Sequence, residues 1–170
     1  MSKGWELDWS SVRLDGKEIA RGGYGRVWKA TLNGSIPVAV KEMFDTNMIK
    51  MSEESELVFL QRARHPRLVM FMGCGRIPKS NNIFLVLEWM DSGDLTDFLY
   101  KSEEAKRSPP SWRDRLRLLK DVAIGMAYLH HEHNSIHRDL KSDNCLLHVD
   151  ADNETRAKVG DFGLSKLCLG

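Results

Sequence analysis

The stretch His137-Arg138-Asp139-Leu140-Lys141-Ser142-Asp143-Asn144, followed by Asp161-Phe162-Gly163, constrains this chain more than any other. It gathers carboxylates, a lysine and an amide into one short loop, then places a further acidic residue before an aromatic and a glycine. As plain structure, the first piece is a turn with its own salt bridges and the second an accidental tripeptide. Their order, with Leu140 and Asn144 in place, makes coincidence the poorer account. Two upstream stretches add to it. Ile19-Ala20-Arg21-Gly22-Gly23-Tyr24-Gly25-Arg26-Val27 is a glycine-rich turn between strand-like flanks, whose backbone N–H groups can approach an anion closely. Alone it reads as an ordinary hairpin. Val38-Ala39-Val40-Lys41 is a β-rich run ending in a lysine, which on a buried strand needs an anionic partner.

Taken together, these motifs resemble those of the eukaryotic protein kinases, in the tyrosine-kinase-like and serine/threonine branch. The resemblance covers roughly residues 12–167 and implies an α+β, protein-kinase-like fold: a small β-rich N-lobe with one main helix, and an incomplete, mainly helical C-lobe. It divides the chain into an N-terminal arm (1–17), an N-lobe (18–87), a hinge (88–95) and a partial C-lobe (96–170). The implied cofactors are ATP and Mg²⁺. Asp139 becomes the carboxylate that takes the substrate proton, and Lys141 adds positive charge beside the transferred group. Asn144 and Asp161 supply oxygen ligands to the metal. Gly22, Gly25 and Val27 match the glycine loop, although Ala20 replaces its first glycine. Lys41 would hold the α- and β-phosphates and pair with a glutamate on the next helix. Among Glu53, Glu54 and Glu56, the spacing to His65-Pro66 selects Glu56. Backbone groups of Glu88 and Met90 would meet the adenine edge, Asp94 the ribose, and Val27, Ala39 and Leu146 the adenine faces. Leu87 takes the position that narrows the back of the pocket. Lys141 favours transfer to serine or threonine of a protein substrate, and Arg138 suggests control by phosphorylation of an activation loop.

The remaining segments are read as structure. Trp5, Leu7 and Trp9 anchor the arm. A helix is expected over 51–63, with Ser52 as N-cap and acidic residues in its first turns. Ser111 and Asp114 form a capping signature for a long helix reaching about His131. Its apolar residues follow one face through Trp112, Leu116, Leu119, Ala123 and Met126, widened by Leu118, Val122 and Leu129, so neighbours are expected on more than one side. His130, His131, His133 and His137 are better placed as helix-end and packing residues than as metal ligands. Asp150–Glu154 mimics a calcium loop without its glycine and terminal glutamate, and reads instead as a hairpin turn between strands 145–149 and 156–159.

Composition narrows the function classes. A net charge of +1 gives no electrostatic case for nucleic acid or a membrane surface. The longest strongly apolar run, Ile83–Leu87, is too short to span a bilayer. Three cysteines without a CxxC pair, and no hydrophobic leader in the opening residues, point to reduced thiols in the cytoplasm. A dinucleotide-binding oxidoreductase is excluded because strand-like residues, not a helix, follow the glycines. The rival reading is a non-catalytic nucleotide-binding or scaffold fragment. The family continues past Asp-Phe-Gly with an activation segment and further helices, whereas this sequence stops at Gly170. The expectation is therefore a partial catalytic domain without its peptide platform. Its long helix should expose an apolar face and favour association. Oligomeric state is left open.

Overall fold

The computed structural model describes residues 4–23, 25–44, 60–100 and 109–161, with the backbone of 166–167. The chain divides into two compact units, residues 1–62 with 70–89, and residues 63–69 with 90–170.

The first unit is a five-stranded antiparallel sheet in the order β1-β2-β3-β5-β4, from β1 (Val12–Gly22), β2 (Gly25–Leu32), β3 (Ile36–Met43), β4 (Phe71–Arg76) and β5 (Ile83–Glu88). Alternation sorts the side chains into two faces. Trp28, Ala30, Leu32, Val38, Val40, Phe84 and Val86 form the core face. Val27, Ala39 and Lys41 point the other way. Leu7 and Trp9 of the arm pack against the core, with the Trp9 ring edge-on to Phe84 at 4.9 Å. The arm also adds a short bridge: Leu7 N–H donates to the Cys74 carbonyl (2.8 Å) and Cys74 N–H to that of Trp5 (2.9 Å). Strand β1 begins at Val12, within the segment read as arm. The reason is an irregularity at Asp15-Gly16-Lys17, where the pairing shifts register between Leu14 and Glu18 and Gly16 takes a φ of 89°. That irregularity breaks the alternation that would have announced the strand. Of the helix expected over 51–63, residues 60–62 are helical and Ala63 already lies beyond the helix; residues 51–59, including Glu53, Glu54 and Glu56, lie outside the described residues.

The second unit is built on the helices α1 (Leu95–Tyr100) and α2 (Trp112–His133) and the hairpin β7 (Cys145–Val149) and β8 (Thr155–Val159), with the short pair β6 (Ser135–Ile136) and β9 (Lys166–Leu167). Ser111 caps α2 as expected: its Oγ accepts from Asp114 N–H (3.1 Å) and donates to the Asp114 carboxylate (2.6 Å). The helix runs to His133, two residues beyond the expected end, and closes on Asn134 in a left-handed conformation. His133 meets the Tyr128 hydroxyl at 3.1 Å. The β7–β8 turn is held by Asp150, whose carboxylate accepts from the N–H groups of Asp152 (3.0 Å) and Glu154 (2.9 Å) and from Arg156 Nε (2.7 Å).

The buried stripe of α2 is Leu118, Asp121, Gly125 and Leu129. The face through Trp112, Leu116 and Leu119 is open to solvent, at 76%, 62% and 58% exposure, the exposed apolar face expected of this helix. Residues 63–69 occupy the buried side. Arg67 Nε pairs with the Asp121 carboxylate at 2.9 Å, whose other oxygen accepts from Ala157 N–H (3.2 Å). Gly125 lets this strap approach, since a β-carbon there would lie 2.6 Å from the Arg67 carbonyl oxygen. Val69 N–H donates to the Val159 carbonyl and Val159 N–H to that of Arg67, both at 2.9 Å.

Cys74 and Cys145 are free and buried, and burial pushes each thiol up to about 11. An alkylating reagent at about pH 8 is therefore expected to spare both in the folded chain and label both in denaturant, as read by peptide mass spectrometry. Fast labelling of either under native conditions would contradict their placement. No helix among the described residues is long and apolar enough to cross a membrane.

Candidate active site

In the first unit the predicted residues gather on the sheet face opposite the core. Val27 pairs across the ladder with Lys41, and Ala39 with Leu87. Directly opposite residues share a face, as do residues two apart on one strand, so Val27, Ala39, Lys41 and Leu87 line up together. Gly22 and Gly25 pair at the end of β1 and β2. Their lack of a side chain has different causes. A β-carbon at Gly22 would meet nothing, whereas one at Gly25 would overlap the Glu42 carbonyl oxygen. Gly25 is therefore demanded by the neighbouring strand, whatever it does for a ligand. Glu88 N–H donates to the Met70 carbonyl (2.9 Å), and the Glu88 carboxylate accepts from Met70 N–H (3.2 Å). Glu56 lies outside the described residues.

In the second unit the loop 137–144 is tied by its own side chains. Asn144, largely buried, donates from Nδ2 to the Asp139 carbonyl (2.7 Å) and carboxylate (3.0 Å). Lys141 Nζ stands 3.4 Å from the same carboxylate. The Asn144 bond, the largest cause, and then the bond and charge of Lys141 hold the Asp139 carboxyl below its ordinary value of 3.8, against desolvation, which ranks between them. Asp139 is thus an ionised, half-exposed acceptor at neutral pH.

His137 braces this loop from beneath. It is buried, and its Nε2 meets the Gly160 carbonyl at 2.8 Å while Nδ1 lies 3.3 Å from Asp139 N. A carbonyl can only accept, so Nε2 carries the proton and Nδ1 receives the Asp139 N–H. Gly160 N–H in turn donates to the Asn144 carbonyl (2.8 Å). Asp161 therefore starts from a residue fixed at both its polar groups, and takes a φ of 57°. Phe162 and Gly163 lie outside the described residues. Because the Asn144 amide points its nitrogen at Asp139, its oxygen is the end that can meet a cation. An amide oxygen and the Asp161 carboxylate are hard oxygen donors of the kind Mg²⁺ takes, so these residues fit such an ion.

Met90, Asp94 and Leu146 belong to the same unit. Asp94 bridges to Leu146 in antiparallel fashion, and Leu147 N–H donates to the Gly93 carbonyl (2.8 Å). One Asp94 oxygen caps α1 by accepting from Asp97 N–H (2.8 Å). Two contacts were not foreseeable. Thr96 Oγ1 lies 2.6 Å from Ser142 Oγ and 3.1 Å from the Asp143 carboxylate, tying α1 to the loop. Neither residue type signals this at a distance.

Comparison with known sequences agrees with this arrangement. The profile of the family described as protein tyrosine and serine/threonine kinase matches residues 14–169. The chain is 37% identical over 180 residues to the L-type lectin-domain containing receptor kinase V.5 of Arabidopsis thaliana, covering 96% of this chain and 26% of that protein. To the receptor kinase V.9 of the same group and organism it is 39% identical over 154 residues (88% and 22%). A probable serine/threonine-protein kinase of Dictyostelium discoideum is 35% identical over 164 residues (96% and 26%). The chain spans about a quarter of the length of these curated relatives. With a matching sheet, a braced Asp139 loop and a profile that runs over almost the whole sequence, the chain belongs to the protein tyrosine and serine/threonine kinase family and carries part of its catalytic domain.

Proposed function

We propose that this chain binds Mg-ATP, and that the protein it represents transfers the γ-phosphoryl group to a serine or threonine hydroxyl of a protein substrate. The observation that carries the reading is the Asp139–Asn144–Lys141 cluster: an ionised carboxylate, an oriented amide and a cation within hydrogen-bonding reach. Asp139 would orient the attacking hydroxyl and accept its proton. Lys141 would balance charge on the transferred group. Asn144 and Asp161 would hold Mg²⁺, which supplies neutralisation of phosphate charge when bound. Lys41 would take the α- and β-phosphates, steadied by Glu56, with Gly22 and Gly25 at the phosphate end. Val27, Ala39 and Leu146 would contact the adenine faces. At the adenine edge, Met70 already takes the Glu88 N–H, so Glu88 would serve through its carbonyl and Met90 through its backbone. Asp94 would reach the ribose with the oxygen not used in capping α1.

The choice of acceptor rests on Lys141 and on the serine/threonine-protein kinase name of one relative. Incubation with γ-labelled ATP, Mg²⁺ and a mixed peptide library tests it. Phosphoserine and phosphothreonine are the expected products. Phosphotyrosine alone would overturn the specificity, and ATP binding without transfer that is not rescued by adding the rest of the kinase C-lobe would favour the non-catalytic module.

A further inference from the structure

The core-facing row of β3 runs Val38, Val40 and then Glu42, a carboxylate only 2% exposed. A buried charge is costly unless it is paired and hydrogen-bonded. Glu42 meets that condition through both oxygens. Oε2 accepts from Arg26 Nε at 2.8 Å and Oε1 from Asn82 Nδ2 at 2.6 Å. Arg26 is the residue directly across from Glu42 on β2, and Asn82 immediately precedes β5, on the other side of β3. One carboxylate therefore fastens β3 to both of its neighbours. The guanidinium of Arg26 is itself held in place, 4.5 Å from the Trp28 ring centroid and 5.8 Å from that of Phe44. Arg21, bonded twice to Glu18 at 2.7 Å, lies 5.6 Å from the same Phe44 ring.

Such a cluster is a poor way to gain stability, because apolar residues of similar volume usually serve a buried site at least as well. Its directional bonds do something a greasy contact does not: they fix how far β3 can slide and roll. The residue beside Glu42 is Lys41, facing the opposite side of the sheet. We propose that Arg26, Glu42 and Asn82 are positioning residues that set the depth and direction of Lys41 toward the phosphates of the nucleotide. This rests on the Mg-ATP reading above.

The test pairs Arg26→Met with Glu42→Leu, so that no buried charge is orphaned and the melting temperature is expected to hold or rise. Affinity for Mg-ATP should then fall roughly tenfold, the scale of a lost supporting shell, while affinity for adenosine, which has no phosphate for Lys41, stays unchanged. Unchanged Mg-ATP affinity, or an equal loss for adenosine, would overturn the proposal. A second readout does not need nucleotide. Acylation of the Lys41 amine, measured by peptide mass spectrometry against Lys29, should rise several-fold in the double variant. If the parent chain bound no Mg-ATP, the kinase reading would fail, and this labelling ratio would still decide: an unchanged ratio rejects positioning, and a raised one supports it.

Discussion

Asp139→Asn is expected to lower phosphoryl transfer by roughly 10²–10⁴-fold, the usual contribution of a positioned proton acceptor, while Mg-ATP affinity changes little. The amide keeps the size and the contact with Asn144 but cannot take a proton. Single-turnover transfer measured beside equilibrium binding separates the two effects, and equal losses in both would assign Asp139 to binding instead. The same residue makes a claim about pH. Its folded value lies below 3.8 because the Asn144 bond and Lys141 favour the carboxylate. A lowered carboxyl remains in its competent ionised form as pH falls through the ordinary range. The transfer rate should accordingly show no Asp139-dependent acid limb between about pH 7 and pH 5. A limb inside that window that disappears in Asp139→Asn would contradict the contacts described.

The second large effect concerns folding. Asp121→Ala should cost about 3–5 kcal/mol, as expected when one partner of a buried ion pair is removed. Its two oxygens serve different elements, the Arg67 guanidinium on the 63–69 strap and the Ala157 N–H on β8, so both are orphaned together. Denaturant melts followed by tryptophan fluorescence would measure it. A loss no greater than that of an exposed carboxylate substitution would mean that the strap is not what holds α2 against β8.

Those two residues also show what a sequence can and cannot reveal. The loop around Asp139 was legible because its chemistry is local: acceptor, cation and amide lie within a few positions and tie themselves together. The faces of α2 were not. Periodicity finds the apolar residues of a helix but does not say which side is covered. Here the covered side is marked by Asp121 and Gly125, a charge and an absent side chain, both explained by Arg67 far away in the chain. Glu42 was silent for the same reason, since its partners lie on β2 and before β5. Gly25 was read toward a phosphate, yet the Glu42 backbone already forbids a side chain there. The start of β1 was hidden by the irregularity at Gly16. Local chemistry reads directly from the chain; long-range pairing of polar groups does not.

The proposal on which the others rest is that Lys41, Asn144 and Asp161 serve a single triphosphate. Titrating Mg-ATP into the chain, its Lys41→Met variant and its Asp161→Asn variant, each first shown to be folded, tests this most directly. The account predicts saturable one-site binding that is lost or severely weakened in both variants. Binding to Lys41→Met indistinguishable from that of the parent chain would contradict it.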